Sequence, residues 1–157
     1  MSILGAVTAD DQKSGKGAPL PAGTYRATIE TAEPREAGGG TTLKLMLGNL
    51  RTKSGAGEFE HNGGTFRIGN RKVFASHWLD HTNPDAANVG HSFIRKLLIS
   101  AGVIANEVGA EDPYSSTEEM VQDIVGKDVT VVTKLRSYKG SDGEQKQDPD
   151  VVTYVAP

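Results

Sequence analysis

The chain has 157 residues, no cysteine and a formal net charge of −3. Its length suits one domain with a real core, the lack of thiols excludes disulfides and thiolate metal sites, and the net acidity excludes a global basic field. The sequence has neither an apolar run of the roughly 20 residues that a membrane helix needs nor an N-terminal signal core, so we expect a cytoplasmic protein without a membrane partner. Residues 1–19, rich in small and charged residues, are predicted to be a flexible arm before a single domain over residues 20–157.

The first two predicted strands are read from alternating apolar and polar residues. A first strand is predicted over Thr24–Ala32 and a second over Thr41–Leu50, where Lys44 lies on the face opposite the leucines. Gly48-Asn49 near the end of the second strand predicts a bulge or bend, which lets a sheet curl towards closure.

The third predicted strand, Thr65–Asp80, follows a hairpin turn signal at Asn62-Gly63 and is interrupted by Gly69-Asn70. An unbroken pleat would place Phe74 and Trp78 in the core, whereas a bulge at the interruption would swap the two faces and expose both rings. Both interpretations of Phe74 stay open. A buried position is favoured for Trp78, because a lone large aromatic side chain is usually buried.

The apolar period then changes from two to about 3.6, which predicts helices. A helix is expected over Pro84–Ala101, with Asn83 as its N-cap. The motif Ser115-Ser116-Thr117-Glu118 predicts a capping box in which Glu118 reaches back to Ser115, at the start of a second, short helix.

A fourth strand is predicted over Asp128–Tyr138, a polar loop over Gly140–Asp150 and a final strand over Val151–Val155. The order is thus three strands, a helical insert and two strands. This order predicts a mainly β fold, a five-stranded antiparallel OB-fold-like barrel with the helical insert between strands three and four. An α+β sandwich stays open as the alternative.

Charge is distributed unevenly along the chain. Residues 35–72 contain seven cations against three carboxylates, whereas residues 106–128 contain seven carboxylates and one cation. We therefore expect a basic sheet region and an acidic helical region. On the fourth strand, Lys134, Arg136 and Tyr138 share one face, which is the pattern of a groove for single-stranded nucleic acid and also that of a plain solvated face.

The candidate nucleic-acid-binding residues are cations that would neutralise phosphates and aromatic rings that would stack on bases. The cations are Lys44, Arg51, Lys53, Arg67, Arg71, Lys72, Lys134, Arg136 and Lys139, and the aromatic residues are Phe74, Trp78 and Tyr138.

Neither a metal site nor a catalytic site is predicted. His77, His81 and His91 are close in sequence, but they occur where a strand runs into a turn, so we expect plain surface histidines. The sequence has no serine elbow, no cysteine nucleophile and no phosphate-binding loop motif. We therefore expect a protein that needs no cofactor and is not an enzyme.

Five short stretches share their pattern with a known family: Pro21–Ala27, Gly69–Phe74, Asn83–Gly90, Leu97–Gly102 and Val125–Val129. Through them the chain resembles small phage-encoded single-stranded-DNA-binding proteins of OB type, which are found with replication and recombination genes. The resemblance implies a non-catalytic protein of the host-cell cytoplasm that binds single-stranded DNA without sequence preference and supports phage-type DNA replication or recombination.

Two functions stay open at this point, because a fold alone does not decide between them. In the first, the basic sheet face binds single-stranded DNA, and the acidic helical side docks replication or recombination proteins, with a homo-oligomer as a further option. In the second, the chain is a protein–protein interaction module on a small β-barrel, for example a phage structural or host-interaction protein, whose basic face meets an acidic partner.

Overall fold

The computed structural model describes residues 2–6 and 19–157. The predicted arm over residues 1–19 falls largely outside the described residues and stays a prediction. The described residues contain seven strands and two helices, namely β1 (Gly23–Ala37), β2 (Gly40–Arg51), β3 (Glu58–His61), β4 (Gly64–Arg67), β5 (Val73–His81), α1 (Pro84–Ser100), α2 (Thr117–Ile124), β6 (Asp128–Lys139) and β7 (Gln145–Val155).

Five strands form one antiparallel sheet in the order β5-β2-β1-β6-β7, and β3 pairs with β4 in a separate hairpin. The predicted mainly β fold and the five-stranded antiparallel sheet are confirmed. The helix α1 lies, as predicted, between the third and fourth strands of this sheet in chain order, β5 and β6. The predicted closed barrel is not found, because no strand pairing joins the edge strands β5 and β7 within the described residues. Instead, α1 packs against both of these strands and covers the seam between them.

The core lies on one face of the sheet, where the period of two directs apolar side chains. Leu43, Leu45 and Leu47 of β2 are fully buried, and Leu97 and Leu98 of α1 belong to the same buried cluster. Burying one leucine side chain stabilises the fold by about 1.5–3 kcal/mol. The opposite face of the sheet carries polar and charged side chains together with a few apolar ones, among them Phe74 and Met46.

The bulge predicted at Gly48-Asn49 is confirmed. The register between β1 and β2 shifts between the pairs Arg26–Arg51 and Thr28–Gly48, and Asn49 adopts a positive φ of 50°. An extra residue of this kind generally bends a strand and increases its local twist.

The third predicted strand, Thr65–Asp80, is wrong as a single element, because β4 and β5 belong to different sheets. Between them Ile68 is fully buried, and its carbonyl accepts a hydrogen bond of 2.9 Å from the Arg71 N–H, which closes a turn at Gly69-Asn70. This turn swaps the faces in the way that the bulge interpretation required. Phe74 is therefore exposed, and Trp78 is half-buried instead of lying in the core.

Two local predictions were wrong by a few residues. Most of the predicted loop Gly140–Asp150 belongs to β7, because a tight turn closed by a hydrogen bond of 2.8 Å from the Gly140 N–H to the Glu144 carbonyl starts the strand at Gln145. The capping box of α2 begins one residue later than expected. Ser116 is the N-cap and accepts from the Glu119 N–H, while the Glu119 carboxylate accepts from the Ser115 N–H at 3.0 Å, so Glu118 is not the partner.

The predicted start of α1 is confirmed. The Asn83 side chain accepts a hydrogen bond of 2.9 Å from the Asp85 N–H, and Pro84 occupies the first helical position, where a missing N–H costs nothing. Further along α1, Gly90 touches β5 so closely that a Cβ atom there would overlap the carbonyl oxygen of Trp78. The helix therefore rests directly on the strand backbone.

Replacing Gly90 with alanine is expected to lower the free energy of unfolding by about 1–3 kcal/mol, because the added methyl group overpacks the contact with the Trp78 backbone. In an open helix position the same change would stabilise the protein by up to about 1 kcal/mol. Urea denaturation measures the difference. Asn88→Ala, at an exposed position of the same helix, is the control and should be neutral or slightly stabilising. A Gly90→Ala variant as stable as the control would contradict the close contact.

Candidate nucleic-acid interface

Phe74 is an aromatic side chain that strand β5 presents to solvent. Val73, Ala75 and His77 of the same strand point into the core, so the alternation leaves Phe74 outside with 61% of its surface exposed. Its partner on β2 is Met46, which extends the apolar spot under the ring. A large exposed ring on a fixed strand is suited to stacking on a flat ligand such as a base.

Phe74 lies in a cleft of about 870 Å³ between the edge strand β5 and the β6–β7 hairpin. We call this the edge cleft. Its lining consists of Pro19, Leu20, Arg71, Lys72, Phe74, Ser76, Arg136 and the segment Gln147–Asp150. Four of the residues predicted from sequence thus meet in one place, although Arg136 is far along the chain from the other three.

The arginines of the edge cleft are held by aromatic rings. The guanidinium of Arg71 lies 4.7 Å from the ring centroid of Phe66, and that of Arg136 lies 5.6 Å from the ring centroid of Tyr138. Stacking of this kind restricts the guanidinium planes and uses none of their N–H groups. Both arginines can therefore bind an anion with little loss of side-chain entropy.

Lys72 is held by a partly exposed ion pair with Glu30. Its Nζ lies 2.6 Å from both carboxylate oxygens of Glu30 on β1. The pair fits against β2 because Gly48 has no Cβ, which would overlap the Glu30 carboxylate. The Glu30 carboxylate balances the formal charge that Lys72 brings to the cleft wall, so we expect the two arginines to dominate anion binding.

Two carboxylates also belong to the edge cleft, those of Asp148 and Asp150. They lie opposite Arg136 and Lys134 in the register between β6 and β7. Tyr138 donates a hydrogen bond of 2.7 Å to Asp148, and this bond raises the pKa of the phenol. Tyr138 is consequently tied to the hairpin beside the cleft and does not belong to its lining. The sequence did not predict that these two carboxylates line the cleft. They were assigned to a loop over Gly140–Asp150, whereas they belong to the first half of β7.

The other predicted residues lie outside the edge cleft. Lys44 is exposed on the outer face of β2, beside Ser76 of β5. Lys134 is exposed on β6, and Lys139 is exposed at the end of the same strand. Lys53 is exposed in the loop after β2. These four lysines can add to the field around the cleft but line no part of it.

Arg51 and Trp78 are engaged within the protein. The Arg51 guanidinium lies 3.2 Å from the Asp128 carboxylate and links the end of β2 to the start of β6. Trp78 packs edge-on against His81, with ring centroids 4.4 Å apart, close to the contact between β5 and α1. Arg67 is 87% exposed on the β3–β4 hairpin, in a second pocket.

His77 joins the two edge strands across the seam, so it is not the surface histidine that the sequence led us to expect. The imidazole is 7% exposed, and its Nε2 lies 2.8 Å from the Tyr154 hydroxyl of β7. Its ring also stacks on Phe93 of α1, with centroids 4.7 Å apart. Burial lowers the pKa of His77 to about 4, although the Asp150 carboxylate acts in the opposite sense.

Stability is expected to fall with acidification between pH 6.5 and 4 because of His77. The pKa of a histidine is about 6.5 in the unfolded chain and about 4 here, so below pH 6.5 the unfolded state binds the proton first. The loss should approach roughly 3 kcal/mol near pH 4, and the contribution is fully present above pH 6.5. Urea denaturation at several pH values measures it. His77→Gln should be less stable at pH 7.5 but flatter between pH 6.5 and 5, and equal slopes would contradict the assignment.

The other two histidines of this region are also engaged. His81 Nδ1 accepts from the Asn83 N–H at 2.8 Å, and His91 Nε2 donates to the Leu79 carbonyl at 2.5 Å. Over residues 2–6 and 19–157 there is no group of three or more His, Asp or Glu side chains that could hold a metal ion. In the same part of the chain, no helix has the length and apolar character needed to cross a membrane.

Comparison with known proteins leaves the family open. No protein-family model matches the chain, and no curated protein sequence matches it. The resemblance to phage single-stranded-DNA-binding proteins therefore stays a prediction from sequence patterns.

Proposed function

We propose that the protein binds single-stranded DNA without sequence preference, with the strand lying in the edge cleft, and that it does so without catalysing a reaction. The phosphates would contact Arg71 and Arg136, with the surrounding exposed lysines adding to the attraction and Lys72 held in its ion pair with Glu30. A base would stack on Phe74. The cellular role would be support of phage-type DNA replication or recombination.

The observation that carries the proposal is that the exposed Phe74 ring lines the same cleft as two arginines that stack on aromatic rings. A base offers a flat surface to the ring, and each phosphate offers two oxygens to a guanidinium fork. Stacking on one ring is worth about 1–3 kcal/mol, whereas an exposed phenylalanine without a ligand keeps a large apolar surface in water.

The fold that we propose for this function is of OB type, with the five-stranded sheet left open between its edge strands. Its support is the strand order β5-β2-β1-β6-β7, the helix between the third and fourth strands of the sheet, and the side-chain contact of 2.8 Å between His77 and Tyr154 across the open seam. In such a fold the outer sheet surface beside the seam is accessible to an extended strand.

Single strands should be preferred over duplex DNA, since a base must leave its partner to stack on Phe74. The test is fluorescence anisotropy with a labelled oligo(dT) of about 15 nucleotides, within the range of roughly 4–16 that one OB fold covers. A duplex of equal length serves as competitor. Tight binding of the single strand with weak competition by the duplex is expected. Absence of binding at low salt would favour the interaction module that meets an acidic protein partner.

A further inference from the structure

A second pocket, of about 540 Å³, lies between the β3–β4 hairpin and the turn that follows it. We call it the hairpin pocket. Its lining residues are Gly57, Glu58, Arg67, Gly69, Asn70 and Arg71. Arg71 also lines the edge cleft, so one guanidinium borders both cavities.

Aromatic packing holds the hairpin in place beside the sheet. The rings of Phe59 and Phe66 stack with centroids 5.7 Å apart, and Phe59 lies 6.2 Å from the ring of Tyr25 on β1. The Ile68 N–H donates to the Gly57 carbonyl at 2.9 Å, which closes the base of the hairpin. Because Phe66 is also the ring under Arg71, the same cluster fixes the guanidinium that the two cavities share.

The lining of the hairpin pocket favours an anion over a base. It contains two arginines, an asparagine, two glycines and one glutamate, but no aromatic side chain. Arg67 is 87% exposed, and its Nε lies 3.5 Å from the Glu58 carboxylate. An exposed ion pair of this length contributes little to stability, so a phosphate that accepts from the guanidinium fork can displace Glu58.

We propose that the bound DNA strand continues from the edge cleft into the hairpin pocket, where Arg67 and Arg71 bind the phosphodiester backbone. This inference rests on the proposed function. It extends the binding path beyond the sheet and makes Arg67 a determinant of the length of DNA that is bound. A strand too short to fill both cavities would gain nothing from Arg67.

The test compares oligo(dT) of about 6 and about 15 nucleotides, which spans most of the range that one OB fold covers. Arg67→Gln should weaken binding of the longer strand several-fold and reduce its salt slope by about 0.7, the value for one phosphate on a single strand. Binding of the shorter strand should be unchanged. Arg35→Gln is the matched control, because Arg35 is an exposed arginine paired with Glu33 at 2.8 Å on the far end of β1.

A second variant, Glu58→Gln, removes the carboxylate charge that competes with the phosphate for Arg67. It should tighten binding of the longer strand and leave binding of the shorter strand unaffected. The free energy of unfolding should stay that of the wild type. If the wild type binds neither oligomer, the proposed function fails. If the wild type binds both and the two variants either change neither affinity or change both equally, only the hairpin path is overturned.

Discussion

Replacing Phe74 with alanine is expected to weaken oligo(dT) binding by about 1–3 kcal/mol, which is roughly 5- to 150-fold in affinity. The ring is 61% exposed and contributes little to the core, so its loss should leave the free energy of unfolding nearly unchanged. Anisotropy titration and urea denaturation on the same samples separate the two effects.

The matched control for Phe74 is Val89→Ala, another exposed apolar side chain, which lies on α1 outside the edge cleft. It should not change DNA affinity. Phe74→Tyr should also bind like the wild type, since the π-face of the ring is retained. A Phe74→Ala variant with wild-type affinity would remove stacking from the mechanism.

The second large effect is expected from the double variant Arg71→Gln with Arg136→Gln. If each guanidinium neutralises one phosphate, the slope of log affinity against log salt should become shallower by about 1.4 in total. Affinity should fall most at low salt, where the phosphate attraction is strongest. Titrations of oligo(dT) at several salt concentrations give the slope directly.

The control for the double variant is Arg95→Gln with Lys96→Gln, which removes the same formal charge from the exposed side of α1. If only the overall charge of the protein mattered, the slope of log affinity against log salt would change equally in both double variants. An equal slope change in the two would therefore show that no phosphate is bound at Arg71 and Arg136.

The regular parts of the fold were predictable because their signals are local. The period of two in β2 and β6, the Asn83-Pro84 start of α1 and the Gly48-Asn49 bulge depend on neighbouring residues and appear where they were expected. The division between β4 and β5 was not predicted, because it depends on the tertiary burial of Ile68.

The candidate site was predictable in composition but not in layout. The exposure of the Phe74 side chain follows from the break at Gly69-Asn70, after which the alternating side chains exchange sheet faces. The sequence left this open as one of two alternatives. The carboxylates of Asp148 and Asp150 were not predicted to lie at the site, since they reach the cleft through the pairing of β7 with β6. The seam at His77 was also unpredictable, because its partner Tyr154 lies 77 residues away in sequence.

The most direct test of strand binding in the edge cleft is photocrosslinking with an oligo(dT) in which one base is a uridine analogue that reacts with a stacked aromatic ring. Mass spectrometry of the digested product locates the attachment. We expect the crosslinked peptide to contain Phe74 and the yield to fall strongly in Phe74→Ala. Crosslinks confined to residues 105–127 on the acidic helical side would contradict strand binding in the edge cleft.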